Sequence, residues 1–283
     1  MNDGVLNYEQ KFFIDGLEIS GLQSVAGGYY ISEQPINILG FGNVGRGFFS
    51  AGAEDNPREI AALTSPLEGR FNLNNILISR DIFIDYSGGA PFSGSLNFPD
   101  GSFGFTSGYI SQHQAECRVG QLPRTSTTIY SFGEVGSGIN AQFSDKTFSD
   151  HPKIEITNQE KIKVQCPGTG TNRVVGASYY LNTSLDPIYV VGSSEAVQVD
   201  VVWPMTAEMR FELEVDRFEY KAMRDYFVKP TLNTVSMELY DCEDNLIQQY
   251  KIISGRLVEE SIKSSVDGVL SVDLSYKTYY NKR

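Results

Sequence analysis

Apolar and polar residues alternate with a period near two along most of the chain. In Thr125-Ser-Thr-Thr-Ile-Tyr-Ser-Phe132 and again from Val266 to Tyr276, the alternation puts one face on a core and the other toward water or a partner. The stretches Lys153–Ile156, Ile162–Val164, Val197–Val201 and Met209–Val215 repeat the pattern. Turn signals at Pro99-Asp100-Gly101 and Asp244-Asn245 separate strands at hairpin distances. One stretch has a different period. Between Asp216 and Phe227, the apolar residues Phe218, Ala222, Met223 and Phe227 recur at helical spacing, with Asp216 placed as an N-cap and Pro230 as the stop. The pattern predicts a mainly antiparallel β protein with about one helix per domain.

The strands also repeat as a set. Pro35-Ile-Asn-Ile-Leu-Gly40 is echoed by Pro187-Ile-Tyr-Val-Val-Gly192, 152 residues later. Arg70-Phe71-Asn72-Leu73 is echoed by Arg210-Phe211-Glu212-Leu213 at a distance of 140, and Asp85-Tyr86 by Asp225-Tyr226 at the same distance. Gly-Tyr-Ile110 and Tyr-Lys-Ile-Ile253 pair at 143. The common order of these matches predicts a duplication: two tandem antiparallel β-sandwich or barrel units, each with about one flanking helix. The first spans 1–140 and the second 150–283, joined by a Gly- and Ser-containing linker from Glu134 to Asp150. The falling offset gives the first copy about a dozen extra residues between Gly40 and Arg70. They form a long loop, 41–63, which is rich in glycine and displays Phe48 and Phe49 side by side. Long loops inside compact domains are usually functional or disordered.

Charge narrows the function. Of 283 residues, 23 are Lys or Arg and 35 are Asp or Glu, a net charge of −12. That balance argues against a basic footprint for duplex nucleic acid and against a polybasic membrane anchor. No run of apolar residues is long enough for a membrane helix, and the first residues, Met-Asn-Asp-Gly-Val-Leu-Asn-Tyr, lack the features of a signal peptide. Three cysteines, Cys117, Cys166 and Cys242, make no complete disulfide framework, which predicts a reducing compartment during synthesis.

Candidate chemistry is sparse. Gly40-Phe-Gly-Asn-Val-Gly45 matches the spacing of a dinucleotide fingerprint, but Arg-Gly-Phe-Phe-Ser-Ala-Gly follows it where a helix should open. His113 and Cys117 fall four apart, yet no C-x-x-C pair supplies half a zinc site. A buried thiol and a surface imidazole account for them. Ser50 has the wrong glycine spacing for a nucleophile elbow, and Asp241-Cys-Glu-Asp-Asn245 reads as a solvated turn without the order of a calcium loop. Trp203-Pro204 and Ser65-Pro66 are read as the starts of corresponding strands. Neither a catalytic residue, nor a cofactor, nor a metal site is expected.

Two tandem β units of about 140 residues, each with one helix and one long loop, resemble the tail tube proteins of long-tailed bacteriophages, from which the second copy departs by having a short loop. The loop between Gly40 and Arg70-Phe71 falls where tube proteins carry the loop that stacks rings, and Phe13-Ile-Asp-Gly-Leu-Glu-Ile-Ser-Gly-Leu22 also looks like phage tail proteins. The resemblance implies a structural virion protein: duplicated subunits form trimeric, pseudo-hexameric rings, and the rings stack around a tape-measure protein. Genome DNA later passes through the lumen without specific binding. It further implies contacts with tail-tip or baseplate and tail terminator proteins, assembly in the host cytoplasm and a place in the virion tail, with no membrane partner. Related tail-tip rings share the fold. On this reading Arg46, Phe48, Phe49 and Arg58 form the ring-stacking contact, and the lumen is net acidic. Two rivals stand beside it, a carbohydrate-binding adhesin module and a hydrolase on a β scaffold with paired carboxylates.

Overall fold

A computed structural model describes residues 10–30, 33–35, 61–63, 68–99, 101–140, 159–166, 173–214, 232–264 and 270–282. The protein is mainly β, as the alternation predicts. In the first half the strands are β1 (Lys11–Ile14), β2 (Leu17–Glu18), β3 (Leu22–Tyr30), β4 (Glu33–Pro35), β5 (Ala61–Leu63), β6 (Glu68–Ile76), β7 (Phe92–Phe98), β8 (Gly101–Arg118), β9 (Arg124–Ser131) and β10 (Val135–Ser137). A single helical turn, α1 (Phe83–Tyr86), precedes β7. The second half holds β11 (Ile162–Gln165), β12 (Val174–Ile188), β13 (Gln198–Glu214), β14 (Asn233–Tyr240), β15 (Leu246–Lys263) and β16 (Ser271–Tyr280). Fourteen of these strands share one antiparallel sheet, and β4 and β5 pair separately.

Both halves use the same strand order. In the first, neighbours run β3-β6-β9-β8-β7-β1, and in the second β12-β13-β16-β15-β14-β11. Each list takes its six strands in the chain order two, three, six, five, four, one. The correspondence extends to a bulge, which falls between Leu22 and Ser24 in β3 and between Val174 and Gly176 in β12. Aligning the bulges sets Leu73 with Phe211, two residues from the match of Phe71 with Phe211 read in the sequence. A shift of two keeps every side chain on its face, so the motif finds the right strand and face with a different register.

The long strands β8 and β15, 18 residues each, serve two neighbours in turn. Their first parts pair with β7 and β14, and their later parts with β9 and β16. Inward residues of β1 and β7 thereby face those of β6 and β9 across one core, which holds Phe12, Ile14, Phe71, Leu73, Phe92, Phe105 and Ile129. A second core gathers Met209, Phe211, Leu213, Val235, Met237, Leu239, Tyr250, Ile252, Val272, Leu274 and Tyr276. Leu77, Ala115 and Cys117 of the first half also pack into it.

Three sequence expectations are corrected here. The stretch after Glu134 does not begin as an unstructured linker, because Val135–Ser137 pairs with Phe103–Phe105 of β8. Val197–Val201 and Met209–Val215 are not separate strands, because β13 runs through Trp203-Pro204, which therefore lies inside a strand and does not start one. Proline has no N–H to give a ladder. The ladder skips there: Thr206 faces Asn182 and Val202 faces Ser184, so residues 203–205 oppose Thr183 alone. The last three residues of the loop 41–63 are β5, paired with β4. The helix read at Asp216–Phe227 and the rest of that loop lie outside the described residues.

Candidate assembly surface

The halves meet by strand pairing. Residues Gly176–Asn182 of β12 lie antiparallel to Gln112–Arg118 of β8. The layer β3-β6-β9-β8-β12-β13-β16-β15 is therefore continuous across the chain. Its two ends are open: among the described residues β3 pairs only with β6, and the end of β15, Arg256–Lys263, pairs only with β16. Unpaired edges present rows of N–H and C=O groups that template further pairing.

One face of this layer covers the cores and the other is polar. On the outward face of the second half, charges are matched in pairs: Arg118 with Glu212, Arg210 with Glu208, and Lys263 with Asp273. The guanidinium of Arg210 also lies 5.2 Å from the centre of the Tyr180 ring. Ser275 donates to Glu208 at 2.7 Å, and the Glu208 carboxyl, although burial raises its pKa, is held below the usual value by Arg210 and Ser275. In the first half, amides and hydroxyls predominate on this face. Thr128 donates to Asn72 Oδ1 at 3.0 Å, Asn74 to Ser24 at 3.0 Å, and Gln114 Nε2 to the Tyr180 hydroxyl at 3.1 Å across the junction. Glu116 and Glu259 lie on the same face beside the charged pairs.

Beneath the junction lies a buried polar cluster that the sequence reading missed. Asp81 sits in the turn before α1, and its Oδ2 lies 2.8 Å from Nε2 of His113, close enough for an ion pair though not aligned as a hydrogen bond. Both side chains are almost wholly shielded from solvent. The Tyr250 hydroxyl, 169 residues away in the chain, donates to the same Oδ2 at 2.6 Å. The N–H of Phe83 donates to Asp81 Oδ1 at 3.1 Å, and the N–H of Asp81 donates to Gln248 Oε1 at 3.2 Å. On its other side, His113 Nδ1 is 2.9 Å from Thr127 Oγ1. Burial alone would raise the Asp81 pKa, yet His113, Tyr250 and the Phe83 N–H together hold it below the ordinary value. The same burial and the Asp81 charge push the Tyr250 phenol well up.

His113 is thus a core residue and not the surface imidazole expected. Its inward register on an alternating strand is readable in the sequence; partners separated by such a chain distance are not. Cys117 is buried as expected, and burial pushes its thiol up to about 12. Such a thiol is inert. Among the described residues no three His, Cys, Asp or Glu side chains converge on a metal position, and no helix is long and apolar enough to cross a membrane. The Asp241 turn is exposed and closed by its own carboxylate, which accepts from the N–H groups of Glu243 and Asn245 at 2.8 Å each. Arg46, Phe48, Phe49 and Arg58, the expected stacking residues, lie outside the described residues.

One polar atom on an open edge has no partner among the described residues. Oε1 of Glu260, on the inward row of β15, is buried without a hydrogen bond, and burial raises the pKa of this carboxyl. Comparison with known protein families and with characterised proteins finds no match for this chain.

Proposed function

We propose that the chain is a structural, ring-forming protein of a virion tail: a duplicated tube subunit, three copies of which close a pseudo-sixfold ring. The observation that carries this reading is the repeated strand order, with the β8·β12 pairing that joins the two halves edge to edge. A junction built between like units within a chain, with matching edges left open at both ends, propagates head to tail and closes as a ring when the rotation permits. Duplicated tail tube proteins assemble in that way, so the architecture and the resemblance point to one function. The polar face of the layer suits a lumen. Paired carboxylates occupy the cations, and an unoccupied cation stripe would bind DNA phosphates and slow their passage.

In this function the chain performs no catalysis. Its partners are copies of itself, the tape-measure protein threaded through the lumen, and the tail-tip or baseplate and terminator proteins at the tube's ends. Rings stack through the first-half loop, with Phe48 and Phe49 burying apolar surface and Arg46 and Arg58 fixing register. The test is electron microscopy of the purified protein together with its mass in solution. Six-lobed rings of three chains are expected; a subunit that stays monomeric even inside assembled particles overturns the reading. Placing the ring along the tail, tube or distal tip, needs an antibody label on whole particles. Glycan binding without rings would favour the adhesin rival.

A further inference from the structure

We infer that the free end of β15 pairs antiparallel with β3 of a second copy of this chain, with Ser261 opposite Gly28, and that Glu260 accepts a hydrogen bond from the neighbour's Tyr29. This rests on the ring-forming reading and specifies its contact.

The chain carries its own template for the contact. Starting from the aligned bulges, one row of inward residues crosses the first half as Val25, Leu73, Thr127 and His113. The matching row crosses the second half as Ala177, Phe211, Leu274 and Glu260. In the first half the row continues across the junction, because His113 is paired with Leu181 of β12. Leu181 faces Ala207 of β13, and the corresponding pair in the first half is Tyr29 with Gly69. Carrying the junction over therefore sets Glu260 opposite Tyr29 of the next copy. It overlays residues 259–263 on residues 30–26, inside the observed limits of both strands.

Three independent features agree with this register. Inward rows meet inward rows: Glu260 and Ile262 share the face of Leu274 and Val272, as Val25 and Gly27 share that of Leu73 and Phe71. Tyr29 is 57% exposed, a phenol without the cover that its counterpart Leu181 enjoys at 4%. Glu260 keeps a buried oxygen unpartnered among the described residues, whereas His113 at the equivalent position has Asp81 Oδ2 at 2.8 Å, in ion-pair range without hydrogen-bond alignment, and Thr127 Oγ1 at 2.9 Å. A phenolic O–H opposite that carboxylate supplies the missing donor. On the outward face, the equivalent of Ser261 opposite Gly28 is Gln114 opposite Tyr180, an existing contact at the junction.

The test uses the full chain with the exposed Cys242 replaced by Ser. Gly28→Cys and Ser261→Cys are introduced together; a Cβ at Gly28 meets nothing within 4 Å. Directly opposite residues of antiparallel strands are spaced for a disulfide, so mild oxidation of assembled protein gives covalent dimers and trimers. The control pair Ser24→Cys with Ser261→Cys is offset by four residues, about 13 Å along the strand, and stays uncrosslinked. Rings that form without the first crosslink, or that crosslink through the control pair, overturn the register and leave the ring reading standing. Absence of any association, by mass and inside assembled particles, overturns both. Separately, Tyr29→Phe is expected to weaken association about tenfold to a hundredfold, the size of a hydrogen bond to a charged group, while leaving monomer melting unchanged. An unaltered association constant removes Glu260 and Tyr29 from the contact.

Discussion

The two halves share a strand order and differ in what fills it. The first core is aromatic: Phe105 has its ring centroid 4.6 Å from that of Phe71, 5.9 Å from Phe92 and 6.3 Å from Phe12. The second core mixes Phe211, Tyr179, Tyr250 and Tyr276 with a larger set of aliphatic and thioether side chains, among them Met209, Met237, Leu213, Leu239, Val235 and Val272. The contrast is sharper in the strands that build the junction. Where the first half places Thr127 and His113 inward, the second places Leu274 and Glu260. The order of strands therefore depends on alternation, which fixes faces, and not on which apolar residues occupy the inward face. Polar residues inside the first half draw partners from their own half and from the other. Asp81 and Thr127 lie against the two ring nitrogens of His113, and Tyr250 reaches Asp81 from the other half. Among the described residues Glu260 lacks such a neighbour.

The largest test of this contrast is in the first core. Phe105→Ala is expected to cost about 3–5 kcal/mol, because it opens a cavity among rigid rings that cannot collapse together. Met237→Leu, at an equally buried place in the second core, should cost less than about 1.5 kcal/mol, since it conserves volume. Urea unfolding measures both. Equal losses would show that the aromatic packing gives the first half no special rigidity.

Next is the cluster that ties the halves. Asp81→Ala leaves His113, Tyr250 and the Phe83 N–H without their shared acceptor, and removing one member of such a buried group costs about 3–5 kcal/mol. The pH dependence gives an independent reading. The folded pKa of Asp81 lies below its ordinary 3.8, so its contribution is present above the unfolded value and is lost as pH falls through the folded one. The wild-type chain should lose stability on acidification below about pH 3.8 more steeply than Asp81→Asn does. Parallel acid profiles would assign the acid sensitivity to other carboxylates.

Much of this was legible beforehand, and the gaps have physical causes. Period-two alternation located β9, β11, β13 and β16, and the turn signals found the β7–β8 and β14–β15 hairpins. The Arg-Phe-x-Leu echo found β6 and β13, strands in equivalent places. What failed was continuity. A proline normally argues against a central strand, and only the skip in pairing opposite Thr183 lets β13 pass through Pro204. The three-residue β10 is too short to show a period. The Asp81 cluster was invisible because its members come from a turn, two strands of one half and one of the other, a grouping that local pattern does not encode. The open edges likewise depend on which strands meet in the fold, since a strand's sequence does not say whether it has one neighbour or two.

A smaller pair of substitutions exchanges chemistry between the halves. Thr127→Val makes the first row resemble the second, and removes the hydroxyl 2.9 Å from His113 Nδ1. Val272→Thr, at the counterpart of Thr125 one inward position along the strand, does the reverse, putting a hydroxyl where the wall is apolar and fully buried. Each should cost about 1–3 kcal/mol, by an unmade hydrogen bond in the first case and an unsatisfied buried group in the second. Thermal or urea midpoints measure both. If Thr127→Val were neutral, the polar row would be a tolerated accident and not a satisfied network.

The smallest effect expected is at Glu260, and its sign is informative. Burial raises the pKa of this carboxyl in the folded chain above the ordinary 4.5. Between the unfolded and folded values the folded state holds the extra proton, so stability falls as pH rises through that interval, and the full penalty applies above it. In the isolated subunit at neutral pH, Glu260→Gln removes the charge that burial disfavours, and the melting temperature should rise by less than about 2–4 °C, the shift that 1 kcal/mol produces in a domain of this size. Below the unfolded value, where the wild-type carboxyl is itself neutral, the gain should vanish. The His113 position gives the opposite outcome. There Asp81 and Thr127 already fill the surroundings, so His113→Gln should lower the midpoint at neutral pH. A Glu260→Gln variant that melted below wild type at neutral pH would mean that the carboxylate already has a stabilising partner within its own chain, and the contrast between the closed junction and the open edge would be lost.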